Sequence, residues 1–148
     1  MTSLRNPPKK APKSMLDELT AEDLMSRNPQ SVRDNATVDE AVKFLTDRAI
    51  SGAPVINESG RPVGVISRTD LLIHERERRR TTNEHEAADT TPVSAVMTPI
   101  VFTAREKDTA QKVTEQMVAL NVHRLFVVDA ADVLIGVITP LDVLRKLV

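Results

Sequence analysis

Shifted by 72 positions, the sequence falls on itself. Met25 lands on Met97, Thr37 on Thr109 and Val55 on Val127. Gly64-Val65-Ile66 then lands on Gly136-Val137-Ile138, and Asp70 and Leu72 land on Asp142 and Leu144. No gap is needed between 25–72 and 97–144. Chance aligns single valines but not this ordered set, so the chain is a tandem duplication. Its length sharpens the point: of 148 residues, each half has roughly 60, and a piece of that size buries too little surface to be comfortably stable alone. The two halves are therefore expected to share one packed unit.

Each copy carries the same signals. Thr37-Val-Asp-Glu40 is a capping-box pattern, a hydroxyl at a helix start and a carboxylate three residues on. Behind it Val38, Val42, Leu45 and Ala49 recur at helical spacing; in the second copy Thr109 is followed by Ala110, Val113, Met117 and Leu120. Short β-branched runs come next, Pro54-Val-Ile56 and Phe126-Val-Val128. Turn residues follow (Asn57 to Gly60, Asp129 to Asp132), then Val63 to Ile66 or Leu134 to Ile138. Each pair reads as a hairpin. A helix is predicted from near Arg68 and Pro140. A short helix ending at Met25 or Met97 and an extended piece, Ser31-Val32 or Val101-Phe102, stand ahead of each copy. Thr91-Pro92 reads as a cap with proline at the first helical position. The order is strand, helix, strand, strand, helix, twice: an α/β (α+β) fold whose one-sided sheets need each other. Repeat 1 is assigned to 20–75, a charged linker to 76–90 and repeat 2 to 91–148. Residues 1–19 are assigned to a disordered basic tail and lead-in.

Composition removes several classes of function. The sequence has no cysteine, so disulfides, iron–sulfur clusters and thiol chemistry are out. Twenty basic residues against twenty-one acidic ones leave a net charge of -1, no field to draw the chain to nucleic acid or membrane. Only Phe44, Phe102 and Phe126 are aromatic, too few for a stacking platform. No apolar run reaches the roughly 18 residues of a membrane span, and Met1 to Ser14 lacks the apolar core of a signal peptide. A cytoplasmic location is expected. The arginines at 76, 78, 79 and 80 alternate with Glu75 and Glu77, a pattern of a solvated helix extension; with the basic tail they are the only feature suited to weak, salt-dependent nucleic-acid binding.

Two copies of an apolar hairpin entry leading to Gly-x-x-Ser/Thr-x-x-Asp, each behind a Met-Ser or Met-Thr helix end, resemble a tandem cystathionine-β-synthase (CBS) domain pair, or Bateman module. The resemblance covers residues 20–148. It implies two βαββα repeats related by a pseudo-twofold axis, with two clefts that in this family often bind adenosine nucleotides and regulate an attached or partner protein.

The candidate residues follow. In Gly64-Val-Ile-Ser67-Arg-Thr-Asp70 and Gly136-Val-Ile-Thr139-Pro-Leu-Asp142, a strand glycine permits close approach by a ligand or by another chain segment. A hydroxyl then opens a helix, where unpaired N–H groups suit an anion. The resemblance implies that Ser67 and Thr139 meet phosphate or ribose and that Asp70 and Asp142 hold the ribose. The same residues are also plain helix caps. Before the hairpins the copies differ, Ile50-Ser-Gly-Ala-Pro54 against Val122-His-Arg-Leu-Phe126. The His123-Arg124 pair resembles one in the nucleotide-sensing γ subunit of AMP-activated protein kinase and implies a phosphate grip. Two unequal clefts are expected. By the same resemblance, main-chain groups at Ala53, Pro54, Leu125 and Phe126 border the base, and Val32, Val101, Ile66 and Ile138 form aliphatic walls.

Nothing points to catalysis: there is no phosphate-binding Gly-x-x-x-x-Gly-Lys loop and no Gly-x-Ser-x-Gly elbow. His74, His85 and His123 have no ligand spacing, and no metal or redox cofactor is expected. The chain is read as a regulatory module for AMP, ADP or ATP that dimerises and signals to a partner. The alternative is a ligand-free dimerisation module.

Overall fold

A computed structural model describes residues 15–81 and 88–148. The basic tail and the middle of the charged linker, including His85, lie outside the described residues. The chain runs through helices α1 (Met15–Glu18) and α2 (Ala21–Leu24), strands β1 (Ser26–Arg27) and β2 (Val32–Arg33), helix α3 (Val38–Asp47), strands β3 (Gly52–Ile56) and β4 (Pro62–Ser67), and helix α4 (Arg68–Thr81). A 3₁₀ turn at Val93–Ala95 leads to β5 (Thr103–Arg105), α5 (Ala110–Leu120), β6 (Leu125–Val128), β7 (Leu134–Ile138) and α6 (Pro140–Arg145). The predicted order, strand, helix, strand, strand, helix, is present twice.

Local chemistry sets the helix starts. Thr37 accepts from the Glu40 amide at 3.1 Å while the Glu40 carboxylate accepts from the Thr37 amide at 3.1 Å, the reciprocal cap read in the sequence and worth about 1 kcal/mol. Val38, Ala41 and Leu45 are the residues α3 buries. Val42 is 42% exposed, and Ala49 lies past the helix end at φ 53°. The buried stripe is therefore shifted from the predicted one: Ala41 takes the inward place, Val42 lies on the groove between α3 and α4, and Ala49 falls beyond the helix. In α5, Ala110, Val113 and Met117 are buried as expected, but Leu120 in the last turn is 40% exposed. Two further expectations are corrected. Pro92 is itself the cap of the 3₁₀ turn, since Thr91 is held by its own bonds to Asp89 and Val38. The second extended piece is Thr103–Arg105 rather than Val101-Phe102.

The two sheets are not built from the two repeats alone. One sheet has the order β2-β3-β4 and the other β1-β7-β6-β5. Strand β1, from the start of the first repeat, pairs antiparallel with β7 of the second, Ser26 opposite Val137. Seventy-two residues on, Thr98 bridges Val65 of the first repeat in the same sense. The cores follow this exchange. Ala21 and Leu24 pack with Leu125, Val127 and Ile138, whereas Val93 packs with Val55, Ile66 and Leu45. Each lead-in is thus buried in the other repeat's core, and neither repeat completes a core without the other.

The pseudo-twofold relation can be followed bond by bond. Thr20 bridges Thr109, and Pro92 bridges Thr37. The Ala21 amide donates to Asp108 and the Val93 amide to Ala36; the Glu22 amide donates to Glu106 and the Ser94 amide to Asp34. Each second member is the first shifted by one repeat. Hairpin tips meet across the same axis, the Leu134 amide donating to the Gly60 carbonyl and Arg61 Nε to the Ala131 carbonyl, both at 3.0 Å.

Candidate functional site

The strand glycines settle one open question. A Cβ on Gly64 would sit 2.6 Å from the Met97 sulfur and 2.6 Å from the Thr98 carbonyl oxygen. On Gly136 it would collide with the Met25 side chain. The close approach these glycines permit is that of the exchanged lead-in, each methionine lying over the other repeat's hairpin.

The hydroxyl–carboxylate pairs form caps. Thr139 donates its amide to Asp142 Oδ2 at 2.8 Å and its Oγ1 to the same oxygen at 3.0 Å. Ser67 and Asp70 repeat this at 2.9 and 2.9 Å. The second carboxylate oxygen separates the copies. Asp70 Oδ1 accepts from Thr98 Oγ1 at 3.2 Å, while Asp142 Oδ1 lies 3.8 Å from Arg145 Nη1, a side chain 68% exposed. Asp70 is engaged at both oxygens by the fold; Asp142 has one oxygen with only a long, solvent-screened contact.

A cavity of about 310 Å³ opens where the first lead-in crosses the second hairpin. Arg27, Asn28 and Gln30 line it from the lead-in, Ile50 and Gly52 from the first repeat, and Arg124 and Thr139 from the second. Ser26, Pro29, Pro54, Phe126 and Val137 complete it. No carboxylate is among the lining residues and Arg124 brings a guanidinium, while that of Arg27 is paired with Glu22 outside the lining, so the chemistry of the space suits an anion with an apolar portion. Arg124 is the predicted residue that the structure brings here, together with Thr139, Pro54 and Phe126.

Other predicted residues are placed elsewhere. Ile66 and Ile138 are fully buried in the two cores, as are Ala53 and Leu125. Strand alternation explains this: Ile138 faces the helices, while its neighbour Val137 lines the cavity. The aliphatic walls were thus assigned with the wrong parity. Val32 is also a core residue, and its structural counterpart is Ala104, not Val101, since they pair with Val55 and Val127. His123 parts from Arg124. It lines a groove between α5 and α6 with Met117, Val118, Val143 and Leu144, because successive residues entering a strand point to opposite faces.

The residues missed by sequence reading are Arg27, Asn28 and Gln30. An Asn-Pro turn signal marks the spot (Asn28-Pro29; Asn28 has φ 53°), but nothing local says that β1 joins the opposite sheet. At the equivalent positions the second lead-in has Pro99, Ile100 and Phe102, so the two clefts are lined by different chemistry.

A separate polar cluster clamps the entry to the second lead-in. Among the described residues Asp89 is the one buried charged side chain, at 8% exposure. It accepts from His74 Nε2 at 2.7 Å and from the Thr91 amide at 3.1 Å, with Arg78 Nε at 3.8 Å. Burial raises the Asp89 pKa, but the Thr91 and His74 hydrogen bonds outweigh it and hold the carboxyl below its ordinary value. Among the described residues no three His, Asp or Glu side chains gather in a group that could hold a metal ion.

The family model described as "CBS domain" matches residues 21–77 and 93–148. The chain is 31% identical over 130 residues to an inosine-5'-monophosphate dehydrogenase of Methanocaldococcus jannaschii, covering 88% of this chain and 23% of that protein. It is 28% identical to the γ-3 subunit of 5'-AMP-activated protein kinase of Sus scrofa, over 79% of this chain and 24% of the subunit. It therefore spans about a quarter of the length of these curated relatives. Among solved structures, CBSX2 in complex with AMP superposes with a TM-score of 0.68 at 29% identity, over 86% of this chain and 94% of that one. The cytosolic domain of the Mg2+ channel MgtE in complex with ATP gives 0.69 at 30%, over 88% and 49%.

Proposed function

The chain belongs to the CBS domain family, with two copies in tandem, and from that premise we propose that it is a regulatory module whose second cleft binds an adenosine nucleotide, AMP, ADP or ATP. One observation carries the reading: Arg124 lines a cavity beside Thr139, with apolar walls from Ile50, Pro54, Phe126 and Val137 and no carboxylate among the lining residues. Arg124 supplies a planar fork for phosphate. Asp142 is outside the lining but bonded to Thr139, which is in it; its Oδ1, with a long contact to Arg145, is the acceptor we assign to ribose hydroxyls. The AMP and ATP complexes of the similar structures support the same ligand class. No catalytic role is proposed.

Output through a homodimer, and from it to a regulated partner, belongs to the same proposal. Val42 and Leu72 flank a groove of about 590 Å³ between α3 and α4, with Val118 and Leu144 at the equivalent α5–α6 groove. Leu72 is 70% exposed and Val118 76%, apolar faces that a closed twofold contact would cover. A cytoplasmic location, where adenosine nucleotides are at hand, fits this reading; among the described residues no helix is long and apolar enough to cross a membrane.

The second reading, a ligand-free dimerisation module, draws on the caps: Ser67, Asp70, Thr139 and Asp142 are already bonded to one another. A thermal-shift screen separates the two. A nucleotide that binds only the folded chain stabilises it by about 2.7 kcal/mol at a hundredfold excess over Kd. A rise in Tm with AMP, ADP or ATP supports the nucleotide reading, and no rise with any adenine compound leaves the dimerisation module.

A further inference from the structure

Thr98 closes an antiparallel bridge with Val65, each amide donating to the other's carbonyl at 2.9 Å. Opposed residues of a sheet put their side chains on one face, and so do residues two apart on a strand. The Thr98 side chain therefore shares the face of Val65 and Ser67, away from Gly64, which lies under Met97. There its Oγ1 donates to Asp70 Oδ1 at 3.2 Å, while Ser67 engages Oδ2 through its amide and hydroxyl. In the second cleft the same place is held by Ser26, which pairs with Val137 and lines the cavity. Among the described residues no bond joins Ser26 to Asp142, whose Oδ1 keeps its long contact to Arg145. One methyl group separates the two side chains: β-branching restricts χ1 of Thr98 and holds its hydroxyl where that of a serine can turn away.

From this we infer that Thr98 is a specificity-determining residue of the first cleft: its hydroxyl stands in for a ribose hydroxyl on Asp70 and withholds that carboxylate from a nucleoside. The inference rests on the proposed nucleotide reading for the role of the aspartates. A ribose that displaces Thr98 exchanges one hydroxyl–carboxylate bond for another and gains nothing at Oδ1. At Asp142 it adds such a bond, a difference of about tenfold or more in affinity. The ligand of a released first cleft would be uncharged. Gly52 stands at the equivalent of Arg124, and Ile100 and Phe102 stand at the equivalents of Asn28 and Gln30, so the chemistry suits a nucleoside rather than its phosphates.

The test is equilibrium dialysis of adenosine and AMP against wild type, Thr98→Val, Thr98→Ser and the double variant Thr98→Val/Asp70→Asn. Thr98→Val keeps the branched shape and the backbone bridge, so it should fold, which its unfolding midpoint without ligand verifies. Wild type should bind one adenosine per chain where Thr98→Val binds two, the added site being tighter than in wild type by about tenfold or more. Adenosine and AMP should fill the added site alike. Thr98→Ser should lie between, and the double variant should return to one site. Unfolding of Thr98→Val, Asp70→Asn and the double variant reads the bond without ligand, and their effects should depart from additivity by about threefold or more in the unfolding constant. Wild type that binds no adenosine, with one site in Thr98→Val, would end the nucleotide reading of the second cleft and leave this inference standing. A single site in both would overturn the inference with that reading intact. Two sites already in wild type, no binding by either protein, or strict additivity would overturn it as well.

Discussion

Arg124 donates from Nη1 to the Gly52 carbonyl oxygen at 3.1 Å, and the two residues hold the same place in the two repeats, 72 positions apart. Equivalent positions touch only where the pseudo-twofold axis passes between them, so this bond lies at the centre of the molecule. One repeat supplies a cation there and the other a glycine, where a Cβ would crowd the Ile66 carbonyl oxygen at 3.1 Å. A duplicated chain is most able to become asymmetric at such a point, because one substitution alters both halves of a shared contact.

Arg124→Ala should weaken AMP and ATP binding by about 1.5–3 kcal/mol, the worth of a hydrogen bond to a charged group. Adenosine, which has no phosphate, should lose little. His123→Ala should leave all three unchanged, since His123 lines the α5–α6 groove instead. Calorimetry on the two variants checks this; equal losses for adenosine and AMP in Arg124→Ala would assign the arginine to the fold.

Gly64→Ala and Gly136→Ala should destabilise the chain by about 1–3 kcal/mol, the usual effect of overpacking. Gly64→Ala should cost more, because its new Cβ meets the backbone oxygen of Thr98 as well as a flexible sulfur. Met25→Ala should partly rescue Gly136→Ala. Chemical denaturation of the two single variants and the double variant measures the coupling, and strict additivity would count against the exchanged packing.

Much of this architecture was legible beforehand. The 72-residue offset, the Thr37–Glu40 cap and the β-branched runs each declare themselves locally, and the elements they predict are present. What was not legible is long-range. No property of Ser26 or Arg27 says that their strand joins the sheet of the other repeat, so the cavity lining at Arg27, Asn28 and Gln30 was invisible. The glycines at 64 and 136 were read correctly as points of close approach, but only the fold says that methionines 97 and 25 make it. Parity was the other loss: a continuous run such as Val137-Ile138 is apolar on both faces, and periodicity cannot say which residue faces the helices.

Asp70→Ala and Asp142→Ala should each lose a helix cap, about 0.5–2 kcal/mol of stability. Asp70→Ala should lose more, since it also gives up the bond to Thr98. Only Asp142→Ala should in addition weaken adenosine, AMP and ATP together, through their common ribose. Melting curves with and without adenosine separate the two roles.

Asp89 gives a prediction in pH. Its carboxyl is held below the ordinary carboxylate value in the folded chain by hydrogen bonds to Thr91 and His74 that outweigh its burial, so the unfolded chain takes up the proton first. The stabilisation is complete above the unfolded pKa and is lost as pH falls through the folded one. Asp89→Asn should cost about 1.5–3 kcal/mol near neutral pH. The gap between wild type and variant should close on acidification below roughly pH 4, as followed by denaturation at a series of pH values. A gap constant down to pH 2 would show that the ionised form has no special partners.

The central claim is that the second cleft is an adenosine-nucleotide site, and direct titration of AMP into the purified chain tests it most directly. The account predicts saturable binding with one strong site per chain, because Arg124 lines one cleft, where the first repeat has Gly52 at the equivalent position, and the other lead-in presents Pro99, Ile100 and Phe102. Absence of binding at millimolar AMP, or two equal sites per chain that survive Arg124→Ala, would contradict it.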